Sequence, residues 1–289
     1  MGGVVTYAGV ESLTLDHVSV YGKNFLIDSS KDLGGISAGG LIGYVKVRKK
    51  LEIDQSMFSG YLDGQIYQNG AGGMIGKLET ENGPDLEKAE IKNCYVAGRN
   101  TSCGQAGAAG ILSDGISIAG NASLGGLIGY ASGPLSISNT FSTAGLYHYS
   151  GTGGTIGGLI GQYAGDSTLN LENCYYAGNT SKFGAAGSWG RNTGILIGMA
   201  QASQVTWNQC AYLKKAENEA IIGSAEIKAD EQVQEEYLKP NVTESGDSPN
   251  TYVYDENLKN SRYPYKLWTT EPDESGNQRK TYRGDWIVQ

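Results

Sequence analysis

Apolar residues in this chain come in runs of about three to five, bounded by glycine, and the runs recur. In the clearest copy, Gly157-Gly158-Leu159-Ile160-Gly161 leads through a polar stretch to Leu171-Glu172-Asn173-Cys174-Tyr175-Tyr176-Ala177-Gly178. The same pattern is written at Gly72-Gly73-Met74-Ile75-Gly76 and Ile91-Lys92-Asn93-Cys94-Tyr95-Val96-Ala97-Gly98. The glycines that close the first run fall at 43, 76, 129, 161 and 198, at intervals of 33, 53, 32 and 37. Self-similarity at a near-constant period marks a repeat architecture. No 3.6-residue period persists across a repeat, and β-branched and aromatic residues fill the runs, so the runs are predicted strands. Short strands at this period predict an all-β chain folded as a parallel β-helix (β-solenoid) of about six coils, stacked roughly 4.8 Å apart.

The second half of the pattern aligns in columns. Leu15, Ile53, Ile91, Ile137, Leu171 and Trp207 form a predicted core column. Two residues on stands a polar column of His17, Gln55, Asn93, Asn139, Asn173 and Gln209. Stacked side-chain amides at a bend can hydrogen-bond from one copy to the next, so this column is read as a structural ladder. A small column of Val18, Ser56, Cys94, Thr140, Cys174 and Cys210 follows it. Glycines are expected to supply positive φ at the corners. The interval of 53 contains Gly110-Ile111-Leu112-Ser113-Asp114-Gly115, which resembles the opening strand; residues 110–120 read as a partial repeat or an excursion. The first copy shows only its second half, its Gly-Gly strand lying upstream or being reduced to Val4-Val5.

The repeats end near Leu213, which divides the chain into a repeat region, 1–213, and a capping region, 214–289. The second region holds only four glycines, so it cannot continue the pattern. Ser224 to Tyr237, rich in Glu, Lys, Gln and Ala, predicts one short helix. The aromatic end, from Tyr263 to Trp286, is expected to pack on the last coil, since an open sheet edge invites pairing with other chains.

Composition narrows the partners. A net charge of −8 repels phosphate backbones and argues against nucleic acid. No run approaches the length needed to span a membrane as a helix. The opening Met1-Gly2-Gly3-Val4-Val5 lacks a signal peptide's charged region, and the chain is expected to be a segment of a longer protein. Cys94, Cys103, Cys174 and Cys210 form no C-x-x-C pair, and no metal or cofactor site is expected. Cys94 and Cys174 are separated by the coil carrying Thr140, beyond disulfide reach; Cys174 and Cys210 lie in successive coils, where both a bridge and buried free thiols are open.

The repeated Gly40-Leu41-Ile42-Gly43, Gly126-Leu127-Ile128-Gly129 and Gly158-Leu159-Ile160-Gly161, with Asn93-Cys94-Tyr95 and Asn173-Cys174-Tyr175, resemble the GLUG-motif repeat family. The likeness covers most of 34–213 and more weakly the tail. It implies a secreted or surface-attached bacterial protein, adhesin-like, that meets a host or bacterial surface glycan or protein. It carries over no catalytic residue, and no enzyme is expected. The ligand-binding candidates are aromatic: Tyr147-His148-Tyr149 with Phe183 and Trp189, since flat rings stack on sugar faces. The competing reading of these aromatics is packing. Arg283-Gly284-Asp285 spells a cell-adhesion tripeptide but is read as part of the cap, because short matches arise by chance. A second functional class, a polysaccharide lyase or hydrolase on a β-helix, requires clustered carboxylates on one stacked face. The outward column Asp54, Lys92, Ser138, Glu172 and Asn208 alternates in chemistry and offers no clear dyad.

Overall fold

The computed structural model describes residues 1–27, 36–65, 70–98, 115–119, 122–142, 144–150, 154–176, 192–208, 210–212, 233–234, 240–241, 253–254, 268–272 and 278–282. These residues are nearly all strand. The exception in regular structure is a single 3-10 turn, Ala202–Gln204. Three large sheets hold the repeats, and every pairing within them is parallel. Two short antiparallel pairs lie in the tail: Pro240–Asn241 with Val253–Tyr254, and Trp268–Pro272 with Gln278–Tyr282.

Each repeat contributes in turn to the three sheets. The Gly-Gly run enters the first sheet, as at Gly70–Gly72, Ser123–Gly125 and Thr155–Gly157. The chain then turns through an apolar pair into the second sheet. In the first two repeats it crosses that sheet as one long strand, Val5–Asp16 and Ile42–Asp54. In later repeats the crossing is broken, at Gly83-Pro84, at Gly133-Pro134 and at Gly165. Gly133 and Gly165 have φ of +83° and +101°, values that favour glycine. The third sheet receives Ser19–Ile27, Met57–Gln65, Tyr95–Gly98, Phe141–Ser142, Tyr175–Tyr176 and Cys210–Tyr212. Equivalent residues pair directly: Ile42 with Ile75, Ile75 with Ile128, Ile128 with Ile160, and Ile160 with Ile197.

Three expectations change. The first copy is not a half copy. Gly2 bridges Gly39, and Val5 pairs with Ile42, so Gly2-Gly3 is its glycine pair, disguised by Val4-Val5 standing where other copies carry Leu-Ile or Met-Ile. Of the two readings of residues 110–120, a partial repeat or an excursion, the described part does not fit an opening strand of a further repeat. Gly115–Ala119 lies in the third sheet between the far ends of Met57–Gln65 and Gly145–Ser150, with Ile116 opposite Leu62 and Leu146. It therefore lies in the strand line that Tyr95–Gly98 begins; residues 99–114 lie outside the described residues. The third change falls within residues 214–289. Within the predicted helix, Val233–Gln234 is a strand that pairs in parallel with Cys210–Ala211. Helix propensity is a weak prior, and the open edge of the last repeat supplies unpaired backbone groups that an added strand satisfies. The rest of 224–237 lies outside the described residues.

The core fills the space between the sheets. Leu41, Met74, Leu127, Leu159 and Leu196 stack in one buried column, and Ile42, Ile75, Ile128, Ile160 and Ile197 in the next. Ile53, Ile91, Ile137 and Leu171 are buried, Leu15 is nearly so, and Trp207 is partly buried against the cluster. The third sheet is buried on its other face too: Met57, Tyr95 and Phe141 are fully buried outside the main cluster, and the Tyr95 and Phe141 rings stack at 5.3 Å.

The glycine pairs are there for space rather than for positive φ. A Cβ on Gly158 would stand 2.3 Å from the Tyr176 ring, and one on Gly40 would stand 2.1 Å from the Phe58 ring. Neither glycine has a left-handed φ. The second glycine of each pair thus lets the first sheet close onto a side chain of the third.

Candidate functional site

The left-handed backbone sits instead in the polar column. His17, Gln55, Asn93, Asn139 and Asn173 have φ between 45° and 54°. A non-glycine residue pays for this conformation, and asparagine pays least because its short amide can bond locally. Each bend also hands a backbone bond to the next repeat: His17 N–H to Asp54 O, Asn93 N–H to Ser138 O, Asn139 N–H to Glu172 O and Asn173 N–H to Asn208 O, at 2.9–3.1 Å.

The side-chain ladder is shorter than the column. Asn139 Nδ2 donates to Asn93 Oδ1 at 3.2 Å, and Asn173 Nδ2 donates to Asn139 Oδ1 at 3.1 Å. Asn93 Nδ2 turns to Asp54 Oδ1 at 2.9 Å, not to Gln55. His17 Nδ1 faces its neighbour Asp16 at 2.8 Å. His17 and Gln55 therefore share the bend but not the amide chain. A ring has no amide to pass on, and glutamine carries its amide one methylene too far. Gln209 lies outside the described residues.

The small column closes the bend. Ser56 Oγ donates to Asp54 O at 2.8 Å and Thr140 Oγ1 to Ser138 O at 2.7 Å. Cys94 Sγ donates to Lys92 O at 3.0 Å and Cys174 Sγ to Glu172 O at 3.3 Å. From Ser56 to Cys174 the position holds a small side chain that can donate, which serine, threonine and cysteine all do, whereas Val18 in the first repeat has no such donor.

The aromatic candidates yield little geometry. Tyr147, His148 and Tyr149 lie on the strand Gly145–Ser150, where Tyr147 pairs with Ser117 and His148 with Ile118. Their side chains lie outside the described residues, as do Phe183, Trp189, Cys103 and Arg283-Gly284-Asp285.

A different aromatic line stands on the outer face of the second sheet. Register places Tyr7, Tyr44, Lys77, Tyr130, Gln162 and Met199 in one column, each directly paired with the next. Tyr7 is 68% exposed, the highest value among the large apolar and aromatic side chains described. Its ring meets Tyr44 edge to face at 5.1 Å. The Lys77 ammonium sits 4.9 Å from the Tyr44 ring centre and 5.4 Å from that of Tyr130, a cation shared by two rings. Glu79 holds both partners: it accepts from the Tyr44 hydroxyl at 2.5 Å and pairs with Lys77 at 3.0 Å. Burial, reinforced by Glu79, pushes the Tyr44 hydroxyl well above its ordinary range. This line was readable as the residue after each closing glycine, where Tyr44, Lys77, Tyr130 and Gln162 stand.

The carboxylates of the same sheet are arranged for pairing. Glu52 is bridged by Lys50 and Lys88 at 2.8 Å each, and Lys92 reaches Glu52 and Asp54 at 3.4 Å. Those ammonium groups hold the Glu52 carboxyl down at about 2. A general acid needs the opposite shift. Asp54 and Glu172 stand three repeats apart in the outward column, about 14 Å at strand spacing, outside the roughly 5–9.5 Å of glycosidase carboxylate pairs. Among the described residues no group of His, Cys, Asp and Glu could hold a metal ion, and no helix is long and apolar enough to cross a membrane.

No protein-family model matches the chain, and no curated protein matches it. A solved structure from Bacteroides ovatus, described as a "putative immunoglobulin A1 protease", aligns with a TM-score of 0.45 and 19% identity. The alignment covers 79% of this chain and 61% of that one. The chain thus spans about three fifths of that protein's length, and a likeness at this level carries no argument about function.

Proposed function

We propose that the stacked repeats form a parallel β-solenoid of six coils that acts as a non-catalytic stalk and binding module on a bacterial surface. In this reading the repeats are of the GLUG-motif kind, residues 1–213 are the solenoid, and 214–289 cap its end. The chain belongs to a larger secreted or surface-attached protein, and its partner is a surface glycan. The observation that supports a binding role is the outward line of Tyr7, Tyr44, Lys77 and Tyr130 in direct register. The rings are held by one another, by Lys77 and by Glu79, so little side-chain freedom remains to be lost on binding. Repeating polar and aromatic positions at one spacing suit a repeating ligand, and a polysaccharide is one.

A glycan-array screen with the purified chain tests this. Specific binding is expected in the parent and is expected to be lost in a Tyr7→Ala/Tyr44→Ala/Tyr130→Ala variant of unchanged circular dichroism. A Tyr147→Ala/Tyr149→Ala variant run beside it separates the two aromatic sites. Loss only in the second variant moves the site to Gly145–Ser150. A blank array for the parent refutes the glycan reading and leaves a stalk.

A further inference from the structure

The small column changes character at its C-terminal end. Through the first four repeats it reads Val18, Ser56, Cys94 and Thr140, so no two cysteines are neighbours. In the last two repeats it reads Cys174 and Cys210. The strands that follow pair Tyr175 with Ala211, and those that precede pair Glu172 with Asn208. Asn173 N–H also donates to Asn208 O at 2.9 Å. The two cysteines are therefore held directly one above the other, from both sides. Adjacent parallel strands stand about 4.8 Å apart, inside the roughly 4.4–6.8 Å that a disulfide requires between Cα atoms.

We propose that Cys174 and Cys210 are a cross-linking site, which an external disulfide of the glutathione class oxidises to an intrachain bridge between the last two repeats. Both side chains are fully buried, and both are free thiols in the structure. The bonds that tie each thiol to its own strand loosen along the column: 3.0 Å for Cys94 to Lys92 O, 3.3 Å for Cys174 to Glu172 O and 3.7 Å for Cys210 to Asn208 O. Cys210 is thus the thiol least committed to closing its bend.

The chemistry balances as two exchanges. The thiolate of one cysteine attacks one sulfur of the external disulfide, forms a mixed disulfide and releases one thiol. The other cysteine then loses its proton and attacks the protein sulfur of that mixed disulfide, closing the bridge and releasing the second thiol. The protein loses two hydrogens and the donor gains them. Because both sulfurs are buried in the closed stack, exchange takes place while the last repeat is still open, during folding. The bridge staples the last repeat to the one before it. In a cell the oxidant would come from the surface location proposed above, but the test below is independent of that location.

The full chain is refolded from urea in a mixture of reduced and oxidised glutathione, and in parallel prepared by export to an oxidising periplasm. Each sample is unfolded without reductant, alkylated and mapped by mass spectrometry. The expected map joins the Cys174 and Cys210 peptides, leaves Cys94 alkylated, and shows a chain two hydrogens lighter than its reduced form. Reduction should lower the thermal midpoint by several degrees in the parent and leave that of a Cys174→Ala/Cys210→Ala variant unmoved. Alkylation of both Cys174 and Cys210 in both samples overturns the proposal, as does a map in which either is joined to Cys103.

Discussion

At the residue scale, the polar column performs two tasks that one residue type meets best. The bend demands a left-handed φ, and the stack offers an amide partner above and below. Asn139 meets both, accepting from Asn173 and donating to Asn93. Asn139→Ala loses two hydrogen bonds, at about 1 kcal/mol each, and incurs roughly 1–2 kcal/mol for an alanine held left-handed. A destabilisation of about 3 kcal/mol by urea unfolding is expected. Gln55 pays the backbone cost without joining the chain of amides, so Gln55→Asn is expected to stabilise the protein by about 1 kcal/mol. If both substitutions prove neutral, neither the amide ladder nor the left-handed bend contributes to stability.

At the scale of the strand, the outer face of the second sheet near its N-terminal end is a lattice of opposite charges. Lys49 pairs with Glu11 at 2.8 Å, and Lys88 links Glu52 to Glu90 at 2.8 and 3.0 Å. Each pair joins neighbouring repeats or neighbouring residues of one strand, where opposite charges support pairing. Beside Glu11 and Glu79, whose carboxyls are also held below their usual range, Glu52 contributes to the pH dependence. Its folded pKa, about 2, lies below the usual value of 4.5. The unfolded chain therefore binds its proton first as pH falls, so the contribution is complete above 4.5 and fades between 4.5 and 2. The urea midpoint is expected to drop across that window, and to drop less in Glu52→Gln. An equal drop in the variant would place the acid sensitivity elsewhere.

At the scale of the whole molecule, neighbouring repeats hold one another, and an end repeat has one neighbour fewer. The first repeat shows the consequence. Val5, Val10 and Leu13 are partly buried, whereas their partners Ile42, Val47 and Leu51 are fully buried. Val5–Asp16 pairs on one side with Ile42–Asp54, and no strand among the described residues pairs on its other side. Hydrogen exchange should follow this order. The slowest amides are expected in Ile75–Thr80, Ile128–Ser132 and Ile160–Ala164, and those of Val5–Val10 are expected to exchange at least tenfold faster. Uniform protection across all repeats would mean that the stack opens as one unit.

That the chain is all-β and built of parallel strands is legible in its sequence, because strand runs, glycine pairs and columns repeat at one period and identical positions must then lie side by side. The core columns are legible for the same reason: Ile53, Ile91 and Ile137 meet one another wherever the copies stack. What the period cannot carry is anything set by contact between unlike parts. The Gly110–Gly115 stretch mimics an opening strand, and only pairing with Leu62 and Leu146 reveals Gly115–Ala119 as the end of a different strand line. Gly2-Gly3 goes unnoticed until Gly2 meets Gly39. Val233–Gln234, inside the stretch predicted to be helical, joins the open sheet edge instead, since an unpaired backbone edge outweighs local propensity. The outward line of Tyr7, Tyr44, Lys77 and Tyr130 is written in the sequence at one position per repeat. Its contacts, ring on ring and cation between rings, exist only where the stack brings residues more than thirty apart to strand spacing.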